Sequence, residues 1–155
     1  GFNPTYQLEG QTYARHILDS HPKAKIAVLY QNDDYGKDLL KGLRDGLGDK
    51  AASLIVKEVT YEVTDATVDS QIATLKGSNA NVFVNITTPK FAAQAIRKAY
   101  DIGWKPMHYI NNVSASIGSV LKPISHIGEL TSGGAPATVA MSTKLVALRL
   151  FCAFR

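Results

Sequence analysis

Two carboxylates stand side by side in the stretch AVLYQNDDYGKDLL, Ala27 to Leu40: Asp33 and Asp34, followed by Tyr35 and Gly36. Adjacent acids between an apolar run and a helical pattern can hold a divalent cation. They can equally cap the helix, by accepting hydrogen bonds from its first free N–H groups. The other chemistry-bearing residues near strand ends are neutral: Asn85, Thr87, Thr88, Asn111, Asn112 and Ser114. Such groups donate and accept hydrogen bonds without reacting. No G-x-S-x-G elbow is present, and Ser114 and Ser116 have no histidine and acid placed to activate them. Gly42, Gly46 and Gly48 lie within or after a helical stripe and not after a strand, so they form no phosphate cradle. His16, His21, His108 and His126 show no metal-ligand spacing. The single cysteine, Cys152, excludes an internal disulfide and a cysteine-based cluster. The residue set points to a small-molecule pocket without catalysis, cofactor or metal.

The elements that position these residues follow from hydrophobic periodicity. Tyr13, Ala14, Ile17 and Leu18 give a first helix over Tyr6 to Ser20, stopped by Pro22. Lys25 to Tyr30, KIAVLY, is a short apolar run suited to a buried parallel strand. Leu39, Leu40, Leu43 and Leu47 form a helical stripe closed by Gly46 and Gly48. Ser53 to Tyr61 reads as a second strand, and Val68, Ile72 and Leu75 mark a helix ended by Gly77. Asn81 to Ile86 is a third strand. Thr88 and Pro89 open a further helix, with Thr88 as cap and Phe91, Ala92, Ala95, Ile96 and Ala99 inward. Met107 to Asn111 is a fourth strand, and Ser114 to Leu121 a short fifth helix.

The alternation αβαβαβαβα predicts an α/β fold: a parallel, Rossmann-like sheet covered on both faces, in the order 2-1-3-4. Ligands of such sheets sit beyond the carboxyl ends of the strands. Those ends are Gln31 to Tyr35, Tyr61 to Thr64, Asn85 to Thr88 and Asn111 to Ser114. A receiver-like signalling domain is the alternative reading, because an acidic pair after the first strand holds magnesium there. It requires an acceptor aspartate at the end of the third strand, where this chain has Asn85.

Four stretches carry a resemblance: AKIAVLYQNDDYGKDLLKGLRDGLGDKAA, YEVTDATVDSQIATLK, FVNITTPKFAAQAIRKAYDIGWKP and NNVSASIGSVLKP. Together, over about Phe2 to Pro123, they resemble the second lobe of periplasmic substrate-binding proteins of branched-chain amino-acid-type ABC transporters. The resemblance implies a two-lobed receptor that hinges shut on a small amino acid or an organic or aromatic acid. It implies a periplasmic location and an ABC permease as partner of the intact protein. It places Tyr35 and Thr87 against the ligand and leaves Asp33 and Asp34 to shape and cap the loop; Asn85, Thr88, Asn111 and Asn112 join the candidate site as polar residues at the strand ends. Amino-acid-binding members carry an acid after the fourth strand to pair with the ligand's ammonium group; Val113 falls at or beside that place. A buried amine without a charge partner is costly, which favours an acid lacking an amine.

The resemblance stops after Pro123. Residues 124–155 contain no Asp, Asn or Tyr and three basic residues against one acid, and they read as a divergent, frame-shifted or truncated tail. Cys152 to Arg155 fits the spacing of a prenylation box, but a final Arg argues against it. The first ten residues lack the basic and apolar regions of a signal peptide. No run of 18 apolar residues exists to insert into a membrane. The 17 basic and 13 acidic residues alternate along helical faces, a solvated pattern that argues against nucleic-acid binding.

Overall fold

The computed structural model of the chain describes residues 5–115. Helix α1 (Tyr6–Ser20) starts at Thr5, whose hydroxyl accepts from the Leu8 amide at 3.2 Å, and it ends one residue before Pro22. Strand β1 (Ile26–Gln31) runs into α2 (Asp34–Leu47), and Gly48 ends that helix with φ +57°. A 3-10 turn at Gly48–Lys50 and one helical turn, α3 (Ala51–Leu54), precede β2 (Ile55–Tyr61). Helix α4 (Asp69–Gly77), β3 (Val82–Ile86), α5 (Pro89–Asp101) and β4 (Met107–Ile110) complete the alternation.

The four strands are parallel in the order β2-β1-β3-β4, as the alternation predicts. Period-2 alternation along β1 divides the core between the two faces. Ile26 and Val28 pack with Tyr13 and Ile17 of α1 and with Leu39, Leu43 and Leu47 of α2. Ala27 and Leu29 pack on the opposite face with Val68, Ile72 and Leu75 around α4 and with Phe91, Ala95 and Ala99 of α5. Covering both faces makes β1 and β3 largely apolar, with Gln31 and Asn85 as polar exceptions near their carboxyl ends; every residue of β3 is buried.

Helices α1 and α2 meet backbone to backbone. A Cβ on Gly10 would collide with the Leu39 carbonyl, and one on Gly42 with the backbone of Gln7. This contact fixes the first turn of α1 over the start of α2, beside the carboxyl end of the sheet.

Three sequence expectations need correction. The second strand begins at Ile55 and not at Ser53, because the chain keeps helical dihedrals through Ala51–Leu54, with the Ser53 hydroxyl donating to Lys50 O at 3.0 Å. Gly46 lies inside α2, and Gly48 alone terminates it. Thr88 occupies the cap position of α5 with extended dihedrals, but its side chain makes no capping bond. Pro89 stands at the first helical position as expected. Of the expected fifth helix from Ser114 to Leu121, only Ser114 and Ala115 are among the described residues, at the end of a 3-10 turn, Asn112–Ser114. The rest of that segment and the tail 124–155 lie outside the described residues.

Candidate binding site at the carboxyl edge of the sheet

The acidic pair divides its roles. Asp33 is the N-cap of α2: Oδ1 accepts from the Gly36 amide at 2.9 Å, and Oδ2 accepts from the Gln31 side-chain amide. Both oxygens are thus used inside the loop. Asp34, in the first helical turn, is exposed and suits the positive end of the helix. Gly36 follows because the turn lies directly on β1; a Cβ there would strike the Gln31 backbone.

That turn aims Tyr35 across the strand ends. Its hydroxyl donates to Thr87 O at 3.2 Å and accepts from the Asn111 side-chain amide. Its ring meets Tyr6 edge-on, with centroids 4.9 Å apart. Burial, with Tyr61 and Glu9 nearby, pushes the Tyr35 phenol well above its ordinary range, so it remains a neutral donor and acceptor. Thr87 O also accepts from the Ser114 hydroxyl. One carbonyl therefore joins the ends of β1, β3 and β4. Ser114 is buried and donates its hydroxyl to this carbonyl.

Below this layer runs a buried chain. Thr87 Oγ1 donates to Asn85 Oδ1 at 2.7 Å, and Asn85 Nδ2 donates to His108 Nε2 at 3.1 Å. His108 is fully buried, and desolvation lowers its pKa to about 3, so the imidazole is neutral and can accept. Asn85 is thus held between Thr87 and His108 where a receiver would need a reactive carboxylate.

A second layer involves Tyr61 and Thr88. The Thr88 amide donates to Tyr61 Oη at 3.1 Å, and Tyr61 Oη donates to Gln31 Oε1 at 2.9 Å. Asn111 is buried, and its Oδ1 has no partner among the described residues. Asn112 is exposed, and Val113 is 41% exposed.

Of the six residues named from sequence, all gather at the carboxyl edge. Asn112 is open to solvent, and Tyr35 and Thr88 are half-buried. Asn85, Thr87 and Asn111 are buried beneath them. Sequence reasoning did not single out Glu9, Tyr13, Gln31, Tyr61 or His108, which support this edge. Glu9 is buried and accepts from Tyr13 Oη and from the Asn112 amide at 2.6 Å. Desolvation raises its pKa, and those two bonds oppose the rise. The i, i+4 spacing of Glu9 and Tyr13 was the one available signal.

The arrangement supplies donors, acceptors and an aromatic edge. Such an edge can hold a ligand but has no activated nucleophile among the described residues. Comparison with known proteins agrees with this class. The family model for periplasmic binding proteins matches residues 1–140, and the chain belongs to that family. No curated protein matches it. Among solved structures, a fatty acid ABC transporter substrate-binding protein from Thermomonospora curvata is 21% identical, with a TM-score of 0.68 over 89% of this chain and 33% of that one. A branched chain amino acid ABC transporter periplasmic ligand-binding protein from Burkholderia xenovorans is 16% identical, with a TM-score of 0.63 over 79% of this chain and 32% of that one. An ABC transporter solute-binding protein from Rhodopseudomonas palustris, solved in complex with benzoate, is 13% identical, with a TM-score of 0.60 over 70% of this chain and 30% of that one. The chain spans about a third of the length of these structures. The shared fold is that of type I periplasmic binding proteins.

Proposed function

We propose that the chain supplies one wall of the ligand cleft in the solute-binding component of an ABC importer, acting in the periplasm by binding and release without turnover. The wall is the carboxyl edge of the sheet: Tyr35, Thr88 and Asn112 at the surface, with Asn85, Thr87 and Asn111 holding them. An ABC permease is the partner to which the closed, loaded receptor delivers its ligand. The ligand in this reading is a small carboxylate or aromatic acid and not an α-amino acid.

The observation that carries this reading is the exposed Val113 after β4, at or beside the place where the family resemblance implies an acid in amino-acid receptors. Around it the side chains are neutral amides, hydroxyls and phenols, with the buried Glu9 already bonded to Tyr13 and Asn112. An ammonium group enclosed beside Val113 would lose hydration without a carboxylate in that turn to pair with. The structural relatives include a benzoate complex and a fatty acid receptor as well as a branched chain amino acid receptor, so acids without an amine are among the ligands that proteins of this fold hold.

Titration calorimetry on a two-lobed receptor bearing these residues tests the reading. Benzoate or a short fatty acid is expected to bind more tightly than leucine by about tenfold or more, the factor that 1.4 kcal/mol of binding energy represents. Preference for leucine would overturn the ligand class.

A further inference from the structure

Helix α1 buries a carboxylate that its own helix does not require. Glu9 is 4% exposed in the first turn, and Thr5 already caps the helix. Its Oε1 accepts from Tyr13 Oη and, across 103 residues of chain, from the Asn112 amide at 2.6 Å. Tyr13 Oη reaches the same segment, lying 3.0 Å from Ile110 O. Asn112 opens the 3-10 turn that follows β4, so its N–H is one that the turn itself leaves unpaired. Glu9 thus caps a turn in another part of the chain. That turn follows Asn111, whose side-chain amide holds the Tyr35 hydroxyl, and contains Ser114, whose hydroxyl holds Thr87 O.

We propose that Glu9 is a positioning residue of the candidate site. Its carboxyl group pins the Asn112–Ser114 turn to α1 and so keeps Asn111 and Asn112 in register with Tyr35 at the sheet edge. The importance of this register rests on the reading of that edge as a ligand wall; the pin itself does not. Burying a carboxyl group is unfavourable unless it is hydrogen-bonded. Here one bond comes from Tyr13, one turn further along α1, and the other from Asn112 in the 3-10 turn after β4. The pin therefore joins the two elements that flank Tyr35.

Amide hydrogen exchange followed by NMR on the full chain tests this without any ligand. In Glu9→Leu the Asn112 amide is expected to exchange about tenfold faster or more, while amides of β1 and β3 keep their protection. Glu9→Gln, which retains an acceptor oxygen at the same reach, is expected to restore most of the protection. Glu9→Asp keeps the charge but falls one methylene short, and is expected to behave like the leucine variant. Unchanged exchange at Asn112 in Glu9→Leu would overturn the proposal, as would an equal rise at every core amide. If the leucine variant does not fold, equal exchange at Asn112 in the aspartate and glutamine variants overturns it. Because no ligand enters, such a failure concerns the pin alone, whereas the ligand reading fails in calorimetry.

Discussion

At the scale of single residues, most buried polar side chains of the edge are hydrogen-bonded within it, with Asn111 Oδ1 left without a partner among the described residues. Asp33 is bonded too, with one oxygen on the Gly36 amide and the other on Gln31. Asp33→Ala removes the cap of α2 and is expected to cost about 1 kcal/mol, read as a lower urea midpoint at unchanged slope. His108 gives a pH prediction. Its folded pKa, about 3, lies below the ordinary value of 6.5, so between the two the unfolded chain binds a proton that the folded chain refuses. Stability is fully present above pH 6.5 and is lost as pH falls toward 3. Denaturation across that range should show this loss in the native chain and a smaller one in His108→Gln. Tyr35 was singled out in the sequence through the family resemblance of its Asp-Tyr-Gly stretch, and it does lie at this edge. Glu9 was not singled out, because its partner is a backbone amide far along the chain and its letters sit among the polar residues of α1. The pairing of Asn85 with His108 was hidden for a similar reason: it depends on the β3–β4 register, which pairs Asn85 with Ile110 and so brings His108, two residues earlier, within reach.

At the scale of elements, the stripe Leu39, Leu40, Leu43 and Leu47 and the apolar β1 and β3 were readable because burial on one or two faces writes a period directly into the sequence. The start of β2 was not readable. Ser53 and Leu54 fit a strand as well as a helical turn, and only the turn after Gly48 decides between them. The crossing of α1 over α2 is also absent from the hydrophobic pattern. It depends on the small Gly10, Gly42 and Gly46, which helical periodicity registers merely as gaps. Gly42→Val should force these helices apart and cost about 1–3 kcal/mol, measured by chemical denaturation. The same variant should move the NMR signals of Tyr6, Glu9 and Tyr35, because α1 carries the first two over the third. A stability loss with those signals unmoved would separate the crossing from the site.

At the scale of the whole molecule, a receptor that holds its ligand between two lobes makes only part of its contacts on each. Affinity for a ligand on one wall is therefore weak, yet its location is still measurable. In the proposed function this wall engages the ligand through Tyr35, Thr88 and Asn112, while Glu9 and His108 hold the layer behind them. The most direct measurement is an NMR titration of the chain with benzoate, following every backbone amide. A ligand wall at this edge predicts that shifts concentrate at Tyr35, Gly36, Thr88, Asn111 and Asn112 and weaken sharply in Tyr35→Ala. Shifts centred on the opposite ends of the strands, or on the shallow groove beside Tyr30, Glu58 and Gln71, would contradict it.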